Sequence, residues 1–220
     1  MEDDDKFAER FRIDSTRLSG WNYGDDGYYF VTICAKDREC YFGDVLCDNN
    51  GEYSVALTDV GKIAAKYWLD IPKFHPYVVL DLFIIMPNHL HGIIIINKIV
   101  ETPYLASHKI HRPSLSNIQN ETRRIAGIDE TPGMASLQEG DGEYKNQFGP
   151  QSQNLASILR GFKSGVTVYA RKYNIDFSWQ ERYYDRIIRN EQALNKIRQY
   201  IITNPQKWEH DRNNPESIWM

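Results

Sequence analysis

The stretch Val78–Ile96, VVLDLFIIMPNHLHGIIII, decides how this chain folds. Two apolar, β-branched runs flank Pro87-Asn88, a pair suited to a turn and not to a strand interior. Residues 77–86 therefore read as one strand and 89–96 as its antiparallel partner. Ile93 to Ile96 is apolar on both faces, so the second strand belongs in the middle of its sheet. Alternate residues of a strand share a face. His89 and His91 thus project side by side, with Ile93 and Ile95 behind them and Leu90 on the other face. Two imidazoles so placed offer two neutral nitrogens to one cation. They are equally consistent with two hydrogen-bonded core histidines, and the pair alone leaves both readings open.

Working outward, GYYFVTICAK (27–36) is aromatic and β-branched, a strand. Residues 41–57 contain Asp48-Asn49-Asn50-Gly51 and read as a hairpin. Thr58 is placed to cap a helix whose apolar residues, Val60, Ile63, Ala64, Tyr67 and Trp68, recur at helical spacing; Pro72 is expected to stop it. Residues 98–153 are rich in Ser, Asn, Gln, Gly, Glu and Pro without periodicity, a long polar insertion. Order returns at 154–174, where Leu155, Ile158, Leu159, Phe162, Val166 and Tyr169 form a helical stripe. A strand with an irregular entry follows at 178–189. The last helix is expected at 190–205, capped by Asn190 and ended by Pro205. The alternation predicts an α+β fold: an antiparallel, ferredoxin-like (RRM-like) sheet with its helices packed on one face. The predicted organisation is an N-terminal arm (1–22), one domain (23–210) interrupted at about 98–153, and a tail (211–220).

Composition sets the class. Of 220 residues, 41% are hydrophobic and 25% charged, the balance of a globular chain. No apolar run is long enough to cross a bilayer, and the acidic first residues lack the apolar segment of a secretory signal. Cys34, Cys40 and Cys47 are odd in number and without metal-site spacing, so they read as reduced thiols of a cytoplasmic protein. The net charge of −4 at first argues against nucleic acid. However, residues 154–212 carry 11 Lys/Arg against 6 Asp/Glu, which leaves −9 on the remainder. Such asymmetry can give an acidic protein one basic face.

The last helix carries a second polar group. At about 100° per residue, Leu194, Ile197 and Ile201 form its apolar stripe. Lys196, Tyr200 and Asn204 line one flank of that stripe, so Tyr200 and Asn204 can both look toward the sheet face that holds the histidines. Taken alone, Tyr200 is as well explained as a core-edge residue and Asn204 as a helix cap.

MPNHLHGIIII resembles the His-hydrophobic-His motif of the HUH endonuclease superfamily. GYYFVTICAKDRECYFG (27–43), LRGFKSGVT (159–167) and WQERYYDRIIRNEQALNKIRQYIITNPQKW (179–208) resemble segments of the IS200-like, single-tyrosine transposases, in particular the REP-associated tyrosine transposases. The resemblance covers most of residues 15–210 apart from the insertion. It implies that His89 and His91 are metal ligands, that Asn204 supplies a third ligand, and that Tyr200 is the nucleophile. It implies Mg²⁺ or Mn²⁺ as cofactor, single-stranded or hairpin DNA as partner, and a monomer or homodimer. The implied reaction is DNA nicking and joining through a 5′-phosphotyrosine. Arg160, Lys163, Arg186, Arg189 and Lys196 are candidate DNA contacts, and Trp21, Tyr23, Tyr28 and Trp179 are candidate stacking residues. The alternative is a catalytically silent nucleic-acid-binding module on the same fold.

Overall fold

The computed structural model describes residues 6–7, 10–11, 21–98, 152–211 and 213–214. Most of the expected arm, most of the insertion and most of the tail lie outside them. β1 (Lys6–Phe7) and β2 (Arg10–Phe11) form a small antiparallel ribbon. The main sheet is built from β3 (Gly27–Cys34), β6 (Val78–Ile85), β7 (His89–Ile96) and β8 (Tyr184–Ile188). Its spatial order is β6-β7-β3-β8, antiparallel throughout. A separate hairpin, β4 (Gly43–Cys47) and β5 (Tyr53–Leu57), sits beside it.

With α1 (Asp59–Phe74) after the hairpin and α2 (Leu155–Lys172) before β8, the sheet follows the βαββαβ order of ferredoxin-like folds. The β7 strand is central, as its two apolar faces require. Each helix starts on a side-chain cap. Thr58 accepts from the Gly61 N–H, and Asn154 and Ser157 form a reciprocal capping box. Asn190 accepts from the Ala193 N–H at the start of α3 (Glu191–Thr203). Pro72 does not stop α1, which runs on to Phe74. Within the final turn the proline removes one donor, that of the bond to the Trp68 carbonyl, and the helix ends two residues later.

The sheet separates two cores. Tyr29, Val31, Ile33, Leu90, Ile94 and Ile96 pack against α1 and α2 on one face. Phe30, Ile84, Ile93 and Ile188 pack against Leu194, Ile197 and Ile201 of α3 on the other. The one-face arrangement thus holds for α1 and α2, while α3 lies across the face that carries the histidines. Between those faces sits Gly92, whose missing side chain is filled by a neighbour: a Cβ built there would lie 2.3 Å from the Trp68 ring. The buried indole therefore seats directly on the β7 backbone, on the α1/α2 face between Leu90 and Ile94.

Candidate metal and tyrosine site

The turn at Pro87-Asn88 sets the first half of the site. The Met86 N–H donates to the His89 carbonyl, closing a tight hairpin. Asn88 is buried, and its Nδ2 donates to the carbonyls of Arg38 (2.8 Å) and Asn213 (2.6 Å). Asp37 and Arg38 are left-handed, φ 54° and 59°, a strained pair that presents the Arg38 carbonyl to this amide. With both amide protons committed, the Asn88 Oδ1 must accept, so the His89 Nδ1–H donates to it at 2.9 Å. The lone pair of His89 is therefore on Nε2.

His91 is oriented from the next strand. Register pairs it with Thr32, and the Thr32 Oγ1 lies 2.8 Å from His91 Nδ1. Phe30 stacks on the imidazole at 5.4 Å between centroids. The two Nε2 atoms of His89 and His91 face each other at 3.0 Å, and both rings are buried. Two bare lone pairs at that distance repel unless a proton or a cation lies between them. The separation is also about √2 times a ~2.1 Å metal–ligand bond, the spacing of adjacent ligands around an octahedral ion.

The other half comes from the chain's last third. α3 places the Tyr200 hydroxyl 3.1 Å from His91 Nε2, with the ring edge against Phe30. Tyr200 is 39% exposed while the His91 and Phe30 rings it touches are buried, so it borders both the histidines and solvent. One turn on, Asn204 is 1% exposed, and its Oδ1 is buried without a hydrogen-bond partner among the described residues. An orphaned amide oxygen is costly unless something electropositive meets it. The chain then makes a 3-10 turn, Pro205–His210, whose Trp208 packs on His89. That turn delivers Asp211. A carboxylate oxygen of Asp211 and a ring nitrogen from each of His89 and His91 lie within 4.8 Å of one another. These three side chains could hold a metal ion. Two imidazoles and one carboxylate are donors for a divalent cation.

Asp211 is absent from the sequence-based ligand set and lies one residue beyond the domain end placed at 210. The predicted DNA contacts do not converge. Arg186 lies on the histidine face, opposite Phe30, and Arg189 and Lys196 are exposed at the end of β8 and on α3. Arg160 and Lys163 belong to α2, across the sheet from the histidines. Burial lowers the Lys163 pKa, and its Nζ donates to the Gln180 carbonyl at 2.7 Å, so this ammonium already has a structural partner. Of the candidate stacking residues, Tyr23 and Trp179 pack into the α1/α2 core. Trp21 donates to the Tyr29 hydroxyl, and Tyr28 packs against the α3 core.

A protein of Haemophilus influenzae (strain ATCC 51907 / DSM 11121 / KW20 / Rd), described as uncharacterized, is 37% identical over 199 residues, which cover 90% of this chain and 91% of that one. The chain belongs to the same family as that protein. No protein-family model matches the chain. Among solved structures, the chain is similar to a REP-associated tyrosine transposase bound to a REP hairpin, with a TM-score of 0.48 and 16% identity over 89% of this chain and 74% of the other. No helix among the described residues is long and apolar enough to cross a membrane.

Proposed function

We propose that this protein is a single-stranded DNA nicking and joining enzyme that uses Tyr200 as nucleophile. The observation that carries the reading is the part-exposed phenol 3.1 Å from His91 Nε2, at the edge of the donor group formed by His89, His91 and Asp211. A tyrosine hydroxyl held against a cation site is arranged for attack on a phosphate that the cation holds. The choice of DNA, including hairpin or palindromic DNA, is supported by the motifs His89-Leu90-His91 and Tyr200-Ile201-Ile202-Thr203-Asn204-Pro205, which resemble those of single-tyrosine transposases.

His89, His91 and Asp211, with Asn204 as a further candidate, would hold a divalent cation, Mn²⁺ or Mg²⁺, which when bound would polarise a phosphate oxygen and offset the developing charge. Thr32 and Asn88 fix the rings with Nε2 toward the site. The Tyr200 oxygen attacks phosphorus, the bond to the 3′ oxygen breaks, and the phenol proton is balanced by protonation of that leaving oxygen. A 5′-phosphotyrosine and a free 3′-OH result. A 3′-OH from the same or another strand reverses the step and frees the tyrosine, so the phosphodiester energy is conserved.

The test is incubation with labelled single-stranded oligonucleotides bearing imperfect palindromes, plus Mn²⁺. A denaturation-resistant protein–DNA adduct is expected, absent in Tyr200→Phe and in His89→Ala. Cleavage without an adduct would indicate water as nucleophile, and binding with neither would indicate a silent module. Either outcome overturns the reading.

A further inference from the structure

Parity and register place one more aromatic side chain on the histidine face. β8 pairs with β3 so that Tyr184 is opposite Thr32, and β3 pairs with β7 so that Thr32 is opposite His91. Residues directly opposite in antiparallel strands point to the same side. His91, Thr32 and Tyr184 therefore form one row across the sheet, and Ile93, Phe30 and Arg186 form the next. Neighbouring strands are about 4.8 Å apart, so the Tyr184 and His91 backbones are about 10 Å apart. Tyr183 and Ile187, of opposite parity, pack into the core under α1 and α2, which confirms the direction of Tyr184.

Tyr184 is not needed by either core. It is 54% exposed and belongs to neither apolar cluster. Among the described residues β8 is an edge strand, and no further strand covers the ring from the side. Arg186 is exposed two residues along on the same face. The row thus runs from buried imidazole through buried threonine to an open phenol ring with a guanidinium beside it. Tyr200 overhangs the inner end of that row. A flat π-face and an adjacent cation are the two elements that hold an unpaired nucleotide: the ring stacks the base and the cation meets the phosphate.

We propose that Tyr184 and Arg186 form a stacking subsite for an unpaired nucleobase flanking the phosphate that Tyr200 attacks. The assignment rests on the function proposed above and adds to it the path of the strand: across β3 and out over the β8 edge, not along α3. Tyr184 acts by stacking, so any aromatic ring serves, and a side chain of similar strand preference without a ring does not.

The full-length protein is titrated with single-stranded oligonucleotides carrying 2-aminopurine at successive positions on each side of the cleaved phosphate. Wild type and Tyr184→Phe are expected to quench fluorescence strongly at one position. Tyr184→Thr, which keeps β-propensity, is expected to lose that quenching and to bind about 5- to 100-fold more weakly. Its half-saturating DNA concentration for adduct formation should rise by the same factor while the saturated rate stays near wild type. Arg186→Ala should weaken binding of all sequences alike and flatten the salt dependence. Circular dichroism and melting of Tyr184→Thr verify the fold. An adduct in wild type together with unchanged quenching and affinity in Tyr184→Thr overturns the subsite alone. Absence of both binding and adduct in wild type overturns the subsite together with the function it rests on.

Discussion

Asp81→Asn should unlatch the tyrosine helix. Asp81 sits at an irregularity in β6, where the pairing with β7 shifts between Leu80 and Phe83. Its Oδ1 accepts from the Leu82 N–H (2.7 Å) and from Arg198 Nε (3.0 Å), and its Oδ2 accepts from Arg198 Nη2 (2.5 Å). The side chains are 2% and 13% exposed, so this two-pronged ion pair is all but buried. Arg198 stands two residues before Tyr200, and the pair is a polar tether between α3 and the sheet. Asparagine preserves shape and one acceptor but turns an amide N–H toward Nη2 and leaves a buried cation unbalanced. Removing one partner of a buried pair costs roughly 3–5 kcal/mol. The residual exposure of Arg198 and its bond to Asn195 Oδ1 (3.2 Å) argue for the low end. A loss of about 3 kcal/mol in a chain of this size lowers Tm by roughly 6–12 °C. The apolar double variant Asp81→Leu/Arg198→Met should recover most of that stability, because neither charge then needs a partner. It should not recover adduct formation, since apolar contact does not fix the rotation of α3 as a two-pronged pair does. The measurements are thermal melting and the adduct rate well below each Tm. An unchanged Tm in Asp81→Asn refutes the energetic argument. A double variant with wild-type adduct rate refutes the positioning argument.

Three further outcomes are expected. Asn204→Leu should leave metal-free stability within about 1 kcal/mol, because the buried Oδ1 forms no hydrogen bond there; it should shrink the rise in Tm that Mn²⁺ causes in wild type, as should Asp211→Asn. Gly92→Ala should cost more than about 2 kcal/mol in urea unfolding, since its methyl meets the Trp68 ring at 2.3 Å. Burial lowers the His75 pKa below its ordinary 6.5. The unfolded chain then binds the proton first as pH falls, so stability declines from about pH 6.5 downward and levels off below the folded-state pKa. His75→Gln should lessen that decline in melting curves taken across this range.

The features legible in the sequence were those set by local periodicity. The Pro87-Asn88 turn, the shared face of His89 and His91, the apolar stripe of the last helix and the polar flank bearing Tyr200 and Asn204 all follow from a period of two or of 3.6. What escaped depends on phase or register between elements. Asp211 follows a 3-10 turn that breaks the helical phase after Thr203, so no wheel projects it toward the histidines. Thr32 and Tyr184 join the histidine row only through the pairing of β3 with β7 and β8, and β8 is more than 80 residues away in sequence. The placement of α3 opposite α1 and α2 is equally non-local. It is decided by where Ile197 and Ile201 find apolar surface, and the first sheet face is already covered. The mild effect of Pro72 depended on its place in the final turn, which the sequence pattern set two residues too early.

Asn88 ties the site to two segments that are distant in sequence. Its amide bridges a carbonyl at residue 38 and another at residue 213, and it sets the direction in which His89 points. The hairpin that bears the histidines is therefore locked only when segments far before and far after it in sequence are both in place. A chain cut after residue 204 would keep Tyr200 but lose Asp211 from the donor group and the Asn213 carbonyl from Asn88.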